Sequence, residues 1–277
     1  MKNKESIKLI AIDLDGTLLN NQKELPQRNI EAIGKAVDQG FEIVICTGRT
    51  LPGVRHLLEQ LPLHGQDGYL IVQNGPVTHR LPDLEVLSQT TLQVEARQAL
   101  ADFIVPYDEQ GGTLISFDRD NMWVSTDYAF SDWVIKDAEN LKTEPQRLLH
   151  QDFIKTETLH KAMVIADPPI LDEIEQAVTD AVRNHLAPVR SLDFVLEFLP
   201  YGFNKASALK ALTAHLGFEA HEVMAIGDQL NDLEMIEWAG TGVAMGNAVE
   251  ALVAVSDVQT GTNDAAGVAQ IIERLLK

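Results

Sequence analysis

Asp13-Leu14-Asp15-Gly16-Thr17 places two carboxylates two residues apart, directly after the apolar run Ile7 to Ile12. A run of that length reads as a buried strand, and in an open parallel sheet ligands bind outside the carboxyl ends of the strands. Two aspartates on a strand that is ending can both reach one cleft. Thr47-Gly48-Arg49 closes a second apolar run, Phe41 to Cys46. A hydroxyl followed by a backbone N–H at a helix entrance can hold a phosphate oxygen. Gly227-Asp228-Gln229-Leu230-Asn231-Asp232 closes a third run, Val223 to Ile226. A helix cap needs one Asp or Asn, not three. Carboxylates here would combine with Asp13 into an all-oxygen site for a hard cation such as Mg²⁺. Lys205 follows the loop Tyr201-Gly202-Phe203-Asn204 and opens a helix. Taken singly, these are an acidic turn, a Thr cap, an N-cap box and a surface lysine. Their joint occurrence at strand ends points to chemistry on a phosphate.

The elements that must position these residues are legible as hydrophobic pattern. A helix is expected from Pro26, with Ile30, Ile33 and Val37 on one face and Gly40 at its end. Leu57, Leu58 and Leu61 mark a second helix, and Tyr69 to Val72 a third strand. This alternation predicts a doubly wound parallel sheet. After about residue 80 the rhythm changes. Val86–Leu92 reads as a strand and Val94–Val105 as a helix. Thr113–Phe117 and Met122–Thr126 read as a hairpin around Asp118-Arg119-Asp120-Asn121. Helices near 130–142 and 170–186 flank a strand at Ala162–Ala166, and Phe194–Phe198 is another strand. From Asn204 the first rhythm returns: helix 204–216 to Gly217, strand 223–226, helix 230–239, strand 242–245 and a C-terminal helix to Leu276. The expected fold class is α/β, a doubly wound, Rossmann-like parallel-sheet core with an inserted α+β cap domain. The core is expected over residues 1–84 and 196–277, and the cap over 85–195.

Composition excludes several function classes. The 277 residues carry 41 acidic and 22 basic side chains, a formal charge of −19. Nucleic acid and anionic membrane surfaces both call for positive protein surface. A small anionic substrate is not excluded, because it answers to the local field of a cleft. No stretch approaches the roughly eighteen apolar residues of a membrane span, and the chain is expected to be soluble and cytoplasmic. Cys46, the single cysteine, can form neither an internal disulfide nor a structural zinc cluster, and its place in a strand run makes it an inert core residue. Gly240-x-Gly242 and Gly246 do not have dinucleotide-fingerprint spacing. The eight histidines show no paired metal spacing and are expected mostly on the surface; Trp123, Trp133 and Trp238 are expected in core packing.

The four motifs, in this order and spacing, resemble the haloacid dehalogenase superfamily. Asn74-Gly75, Pro200 to Lys205, Met224 to Gln229, Gly242 to Ala248 and Gly267-Val268-Ala269 are similar to its Cof-type sugar-phosphatase branch. The resemblance spans residues 7–272 and is weakest across 85–190. Pro76 stands where that branch usually has Ala, and Ala206 where it usually has Gly. The resemblance implies a Mg²⁺-dependent phosphatase of small phosphorylated metabolites, with an α/β cap inserted after the third core strand as a lid that sets specificity. By the same resemblance Asp13 is the nucleophile and Asp15 the general acid/base. Thr47, Gly48, Lys205 and Asn231, with the backbone N–H of Leu14, hold the phosphate. Asp13, Asp228 and the Asp15 carbonyl are the metal ligands, and Asp232 orients Lys205 or the metal's water shell. A phosphomutase using the same aspartyl-phosphate, a phosphorylatable signalling module and a metabolite-binding regulator are the alternatives. The second aspartate and the large insertion argue against the signalling module.

Overall fold

The structure, a computed structural model, describes residues 6–63, 68–141 and 143–277. The first stretch of chain holds β1 (Leu9–Asp13), α1 (Gln27–Asp38), β2 (Glu42–Cys46), α2 (Leu51–Leu58), β3 (Gly68–Val72), β4 (Val77–Arg80) and β5 (Glu85–Gln89). Then follow α3 (Val94–Asp108), β6 (Thr113–Phe117), β7 (Met122–Ser125), α4 (Asp132–Asn140), β8 (Pro145–Arg147) and α5 (His150–Lys155). After these come β9 (Lys161–Ile165), α6 (Pro168–Ala177), α7 (Asp180–Arg183), β10 (Leu186–Leu192) and β11 (Val195–Pro200). The last stretch holds α8 (Lys205–Leu216), β12 (Val223–Gly227), α9 (Leu233–Trp238), β13 (Thr241–Ala244), α10 (Glu250–Val255), β14 (Val258–Gln259) and α11 (Gly267–Leu276).

The chain divides into two compact units. One holds residues up to Gly48, Arg55–Ser88 and Phe203–Lys277; the other holds Arg49–Val54 and Gln89–Gly202. The first is built on an eight-stranded sheet, ordered β14-β13-β12-β1-β2-β3-β4-β5. It is parallel from β14 through β3, and β4 turns back antiparallel on β3. Side chains alternate along β1, so Leu9 and Ala11 share one face with Val44, Cys46 and Ile71, packed against Leu209 and Leu212 of α8 and Met235 and Ile236 of α9. Asp13 continues that alternation and therefore points to the α8 side.

The second unit is a six-stranded sheet, ordered β10-β11-β9-β6-β7-β8. Leu114, Val164, Leu196 and Phe198 bury one face against Leu100, Phe153, Leu171 and Val182 of the helices. Ile115, Val124, Met163 and Val195 bury the other with Val134 and Ala138 of α4.

Several expectations shift. The expected return to the core at 196 falls inside β11, which lies between β9 and β10, so the six-stranded unit keeps the chain to Gly202. The expected start at 85 opens β5, an edge strand of the eight-stranded sheet. The helix expected near 170–186 is two helices, because Thr179 accepts the Val182 N–H and caps α7. Residues from 186 form β10, which contains Pro188 and Arg190; an edge strand paired on one side tolerates a proline. The helix expected at 230–239 is a 3₁₀ turn, Leu230–Asp232, followed by α9. The C-terminal helix is α10 and α11 with β14 between them. No helix among the described residues is long and apolar enough to cross a membrane.

Asp137 on α4 faces the ion pair of Lys161 with Glu197, 2.8 Å long. Its Oδ2 is buried with no hydrogen-bond partner among the described residues. Burial pushes this carboxyl up to about 6, Lys161 opposing and Glu197 adding. An unfolded Asp titrates near 3.9. The folded pKa lies above the unfolded one, so the ionised group costs stability above pH 6 and nothing below about pH 4. Asp137→Asn is expected to stabilise the protein at pH 7.5 by at most about 3 kcal/mol, two units at roughly 1.4 kcal/mol each, and to change nothing at pH 4. Thermal unfolding at the two pH values measures this; an equal gain at both would remove the charge explanation.

Candidate active site

β1 lies between β2 and β12, parallel to both, with Asp13 level with Cys46 and Ile12 level with Ile226. This register brings the Asp13–Thr17 turn, the Thr47–Gly48 turn and the Asp228–Asp232 loop to one sheet edge. α8 starts there too. Asn204 caps it, its Oδ1 accepting the Ser207 N–H at 2.8 Å while its own N–H donates to Ser207 Oγ at 3.0 Å. That reciprocal cap makes Lys205 the first helical residue.

The Lys205 side chain is 0% exposed. Its Nζ donates to Asp13 Oδ1 at 2.6 Å and to Asp232 Oδ1 at 2.7 Å. Asp232 Oδ2 accepts the N–H groups of Asp228 at 3.0 Å and Gln229 at 3.1 Å. Both Asp232 oxygens are thus engaged: one holds Lys205 and the other closes the loop. Asp228 Oδ1 accepts from the Thr17 hydroxyl at 2.9 Å. Asn247 Nδ2 donates to the Gly16 carbonyl at 2.8 Å and lies 3.4 Å from Asp228 Oδ2.

The glycines in these motifs have a steric reason. Gly16 sits at φ +81°, and a Cβ there would stand 2.3 Å from Asp228 Oδ2. A Cβ on Gly227 would stand 2.6 Å from the Asp232 carboxyl. Any side chain at either place would push a carboxylate out of the cluster.

Asp13, Asp228 and Asp232 each offer an oxygen within 4.8 Å of the others, and all three are buried. Lys205 is the ammonium set among them. Burial pushes the Asp13 carboxyl well above the ordinary range; Asp232 adds to this and Lys205 opposes it. Burial likewise carries Asp228 up to about 6, against the Thr17 hydrogen bond. Burial alone would discharge Lys205, but Asp13 and Asp232 outweigh it and raise its pKa, so the ammonium stays protonated. The site therefore holds more buried carboxylates than the one ammonium of Lys205 can neutralise, on oxygen donors alone. That donor set fits a hard divalent cation. With both Asp232 oxygens taken, Asp13 and Asp228 are the carboxylates that fit it.

Asp15 stands apart from this cluster. Its side chain is 36% exposed and Oδ1 pairs with Lys23 Nζ at 2.9 Å. Leu14 buries its side chain, and its carbonyl accepts the Leu19 N–H at 2.9 Å. Thr47 is buried, its N–H donating to Ile71 O and its carbonyl accepting the Asn74 N–H, both at 2.9 Å. α2 begins only at Leu51, so Thr47 is not its cap. Asn231 is exposed and its Nδ2 donates to Asn74 Oδ1 at 3.1 Å. A Cβ on Gly48 would lie 3.2 Å from the same Asn74 amide. Reading the sequence as single motifs misses Thr17, Lys23, Asn74 and Asn247. Thr17 lies inside the first motif, and Asn74 and Asn247 lie inside segments that carry the family resemblance, but their partners are distant in the chain.

Other residues take quieter places. Burial raises the Cys46 thiol far above its ordinary value, which leaves it inert. His79 and His160 are buried, not superficial, and each donates Nδ1–H to a carbonyl, of Leu84 and Thr90 respectively. Trp123 and Trp133 pack at the edge of the cores, with Nε1–H on Asp118 and Asp167. Trp238 packs against the core beneath α8 and α9.

A doubly wound sheet whose edge gathers buried aspartates around one lysine suits the handling of a phosphate. The chain belongs to the haloacid dehalogenase-like hydrolases, which it matches over residues 10–272. It is a phosphatase of that family. It is 36% identical to the 5-amino-6-(5-phospho-D-ribitylamino)uracil phosphatase YcsE of Bacillus subtilis, over 96% of this chain and 94% of that one. It is 30% identical to the phosphatase YwpJ of the same organism, over 98% and 100%. A solved haloacid dehalogenase-like hydrolase from Bacteroides thetaiotaomicron superposes with a TM-score of 0.86 at 31% identity, over 97% of this chain and 99% of that one.

Removing the Lys205 charge tests the electrostatics. Lys205→Met leaves Asp13 and Asp232 buried without their cation and is expected to cost about 3–5 kcal/mol at pH 7.5 in the presence of a chelator. The cost is expected to shrink at pH 5, where the Asp13 carboxyl, raised by burial, takes up a proton more readily, and to be partly recovered by adding Asp232→Asn. Urea unfolding of the three chains at the two pH values measures it.

Proposed function

We propose that this phosphatase hydrolyses phosphate monoesters of small polyhydroxylated metabolites, sugar phosphates foremost, through an aspartyl-phosphate on Asp13 and with Mg²⁺. The observation that carries the reading is the Asp13 carboxylate, held through one oxygen by Lys205 at the edge where three motif loops meet. The other oxygen is the one that would attack phosphorus. The relative named as a phosphatase of a phosphoribityl compound supports a polyol ester as substrate.

In the first half-reaction an Asp13 oxygen bonds to phosphorus and the bond from phosphorus to the ester oxygen breaks. Asp15 delivers its proton to that leaving oxygen. In the second, Asp15 takes a proton from water, the water oxygen bonds to phosphorus, and the Asp13 carboxylate leaves, releasing inorganic phosphate. Splitting one displacement into two is the gain of a covalent route. Lys205 offsets the repulsion between a carboxylate and a phosphate dianion. The Gly48 backbone, the Thr47 hydroxyl, the Leu14 N–H and Asn231 hold the equatorial oxygens. Asp13, Asp228 and the Asp15 carbonyl would hold Mg²⁺, which when bound supplies further positive charge against the phosphoryl oxygens.

The exposure of Asp15, against the burial of Asp13, suits a group that must exchange protons with a leaving group and then with water. Asp13→Asn is expected to abolish turnover of every ester. Asp15→Asn is expected to lose most sugar-phosphate activity, because an alkoxide needs the proton, yet to release nitrophenol from nitrophenyl phosphate in a burst approaching one per site. Exhaustive chelation is expected to abolish activity and Mg²⁺ to restore it. Assays on a panel of phosphorylated metabolites, including a phosphoribityl compound, with and without chelator, test the reading; full activity after chelation would sink the metal requirement.

A further inference from the structure

We propose that Asn74 is a positioning residue of the phosphate site, holding Asn231 and the Gly48 backbone in place through its side-chain amide. The proposal rests on the reading that Gly48 and Asn231 hold the phosphate.

The turn after β3 is unusual. Gln73, Asn74 and Gly75 lie in succession at φ +58°, +66° and +130°. Two consecutive non-glycine residues at positive φ cost energy and persist only where the surroundings enforce them. The enforcement comes from two sides. The Asn74 N–H donates to Thr47 O at 2.9 Å, tying the turn to the end of β2. Gly75 lies against the Asn204 carbonyl, so closely that a Cβ would stand 2.6 Å from that oxygen. Asn204 is the cap of α8, directly before Lys205. The turn is wedged between two of the loops that form the site.

From that wedge the Asn74 amide reaches the third loop. Its Oδ1 accepts from Asn231 Nδ2 at 3.1 Å, the one side-chain hydrogen bond that Asn231 makes among the described residues. The same amide stands against the Gly48 backbone. Asn231 is exposed, so without this bond its side chain would have to be ordered by the phosphate itself, at an entropic cost to binding. A group that orders the clamp does so in the ground state and the transition state alike. Its loss therefore raises KM and leaves kcat nearly unchanged.

Asn74→Gly isolates the amide, because glycine adopts the left-handed turn without strain. The variant is expected to keep the wild-type melting temperature within about 2 °C and kcat within about threefold. KM for a phosphate ester and the inhibition constant of inorganic phosphate are expected to rise about tenfold. In an Asn231→Ala background the same substitution is expected to change the phosphate inhibition constant only about twofold, because most of the effect passes through Asn231 and only the contact with the Gly48 backbone is left to lose. A folded Asn74→Gly chain with wild-type KM and inhibition constant would overturn the proposal. So would a full, independent tenfold effect in the Asn231→Ala background. A wild-type chain that hydrolyses no ester and binds no phosphate would overturn the phosphatase reading along with it, whereas normal wild-type hydrolysis with an unaffected glycine variant overturns only the role of Asn74.

Discussion

A lysine ammonium buried between two aspartates is the contact on which the rest of this site depends. Taking Lys205, Asp13 and Asp232 out of water is costly for each alone, and is supported only by short, well-directed hydrogen bonds among them. Everything nearby serves that geometry. The Asn204 cap fixes where α8 begins, the parallel register of β1 and β12 brings Asp13 level with the loop that carries Asp232, and two backbone N–H groups occupy the far oxygen of Asp232. Asp228 is the remainder. It is a third buried carboxylate, held by the Thr17 hydroxyl with no ammonium bound to it, and the resulting excess of carboxylates over ammonium suits a divalent cation.

The two motif aspartates differ by environment, not by chemistry. Asp13 is buried, its pKa raised by burial and its geometry fixed by Lys205. Asp15, two residues on, is partly exposed and paired with a surface lysine. In the proposed mechanism the nucleophile needs a fixed direction of attack, and the proton shuttle needs access to the leaving group and then to water. Two identical side chains are suited to different roles when one faces the core and the other the edge.

Close approach is what makes the glycines of this site irreplaceable. At Gly16 and Gly227 a carboxylate occupies the volume a side chain would need, and at Gly75 a carbonyl does. These contacts draw three loops from distant parts of the chain within hydrogen-bonding reach of one another.

Much of the core was legible in the residues alone. The apolar runs of β1, β2, β3 and β12 alternate with helix patterns, and an alternation of that kind admits few arrangements other than a doubly wound sheet. Because ligands bind at the carboxyl ends of such strands, Asp13, Thr47 and Asp228 could be placed on one edge from sequence position. The helix from about residue 204 and its stop at Gly217 were equally local. What the sequence could not carry was anything decided by pairing between distant segments. The run to Pro200 belongs to the six-stranded sheet because β11 hydrogen-bonds to β9 and β10, which no local pattern near residue 196 reveals. β8 and β14 are pairings of three and two residues, too short to carry a period. Thr17, Lys23, Asn74 and Asn247 are ordinary polar residues by type. They become parts of the site only because folding sets each beside a partner, and side-chain hydrogen bonds of this range depend on distances of a few tenths of an ångström that no spacing along the chain encodes. Residue types and strand order determined which chemistry is available at this edge; the tertiary structure alone decided which oxygens are buried, which are already bonded, and which remain for a substrate.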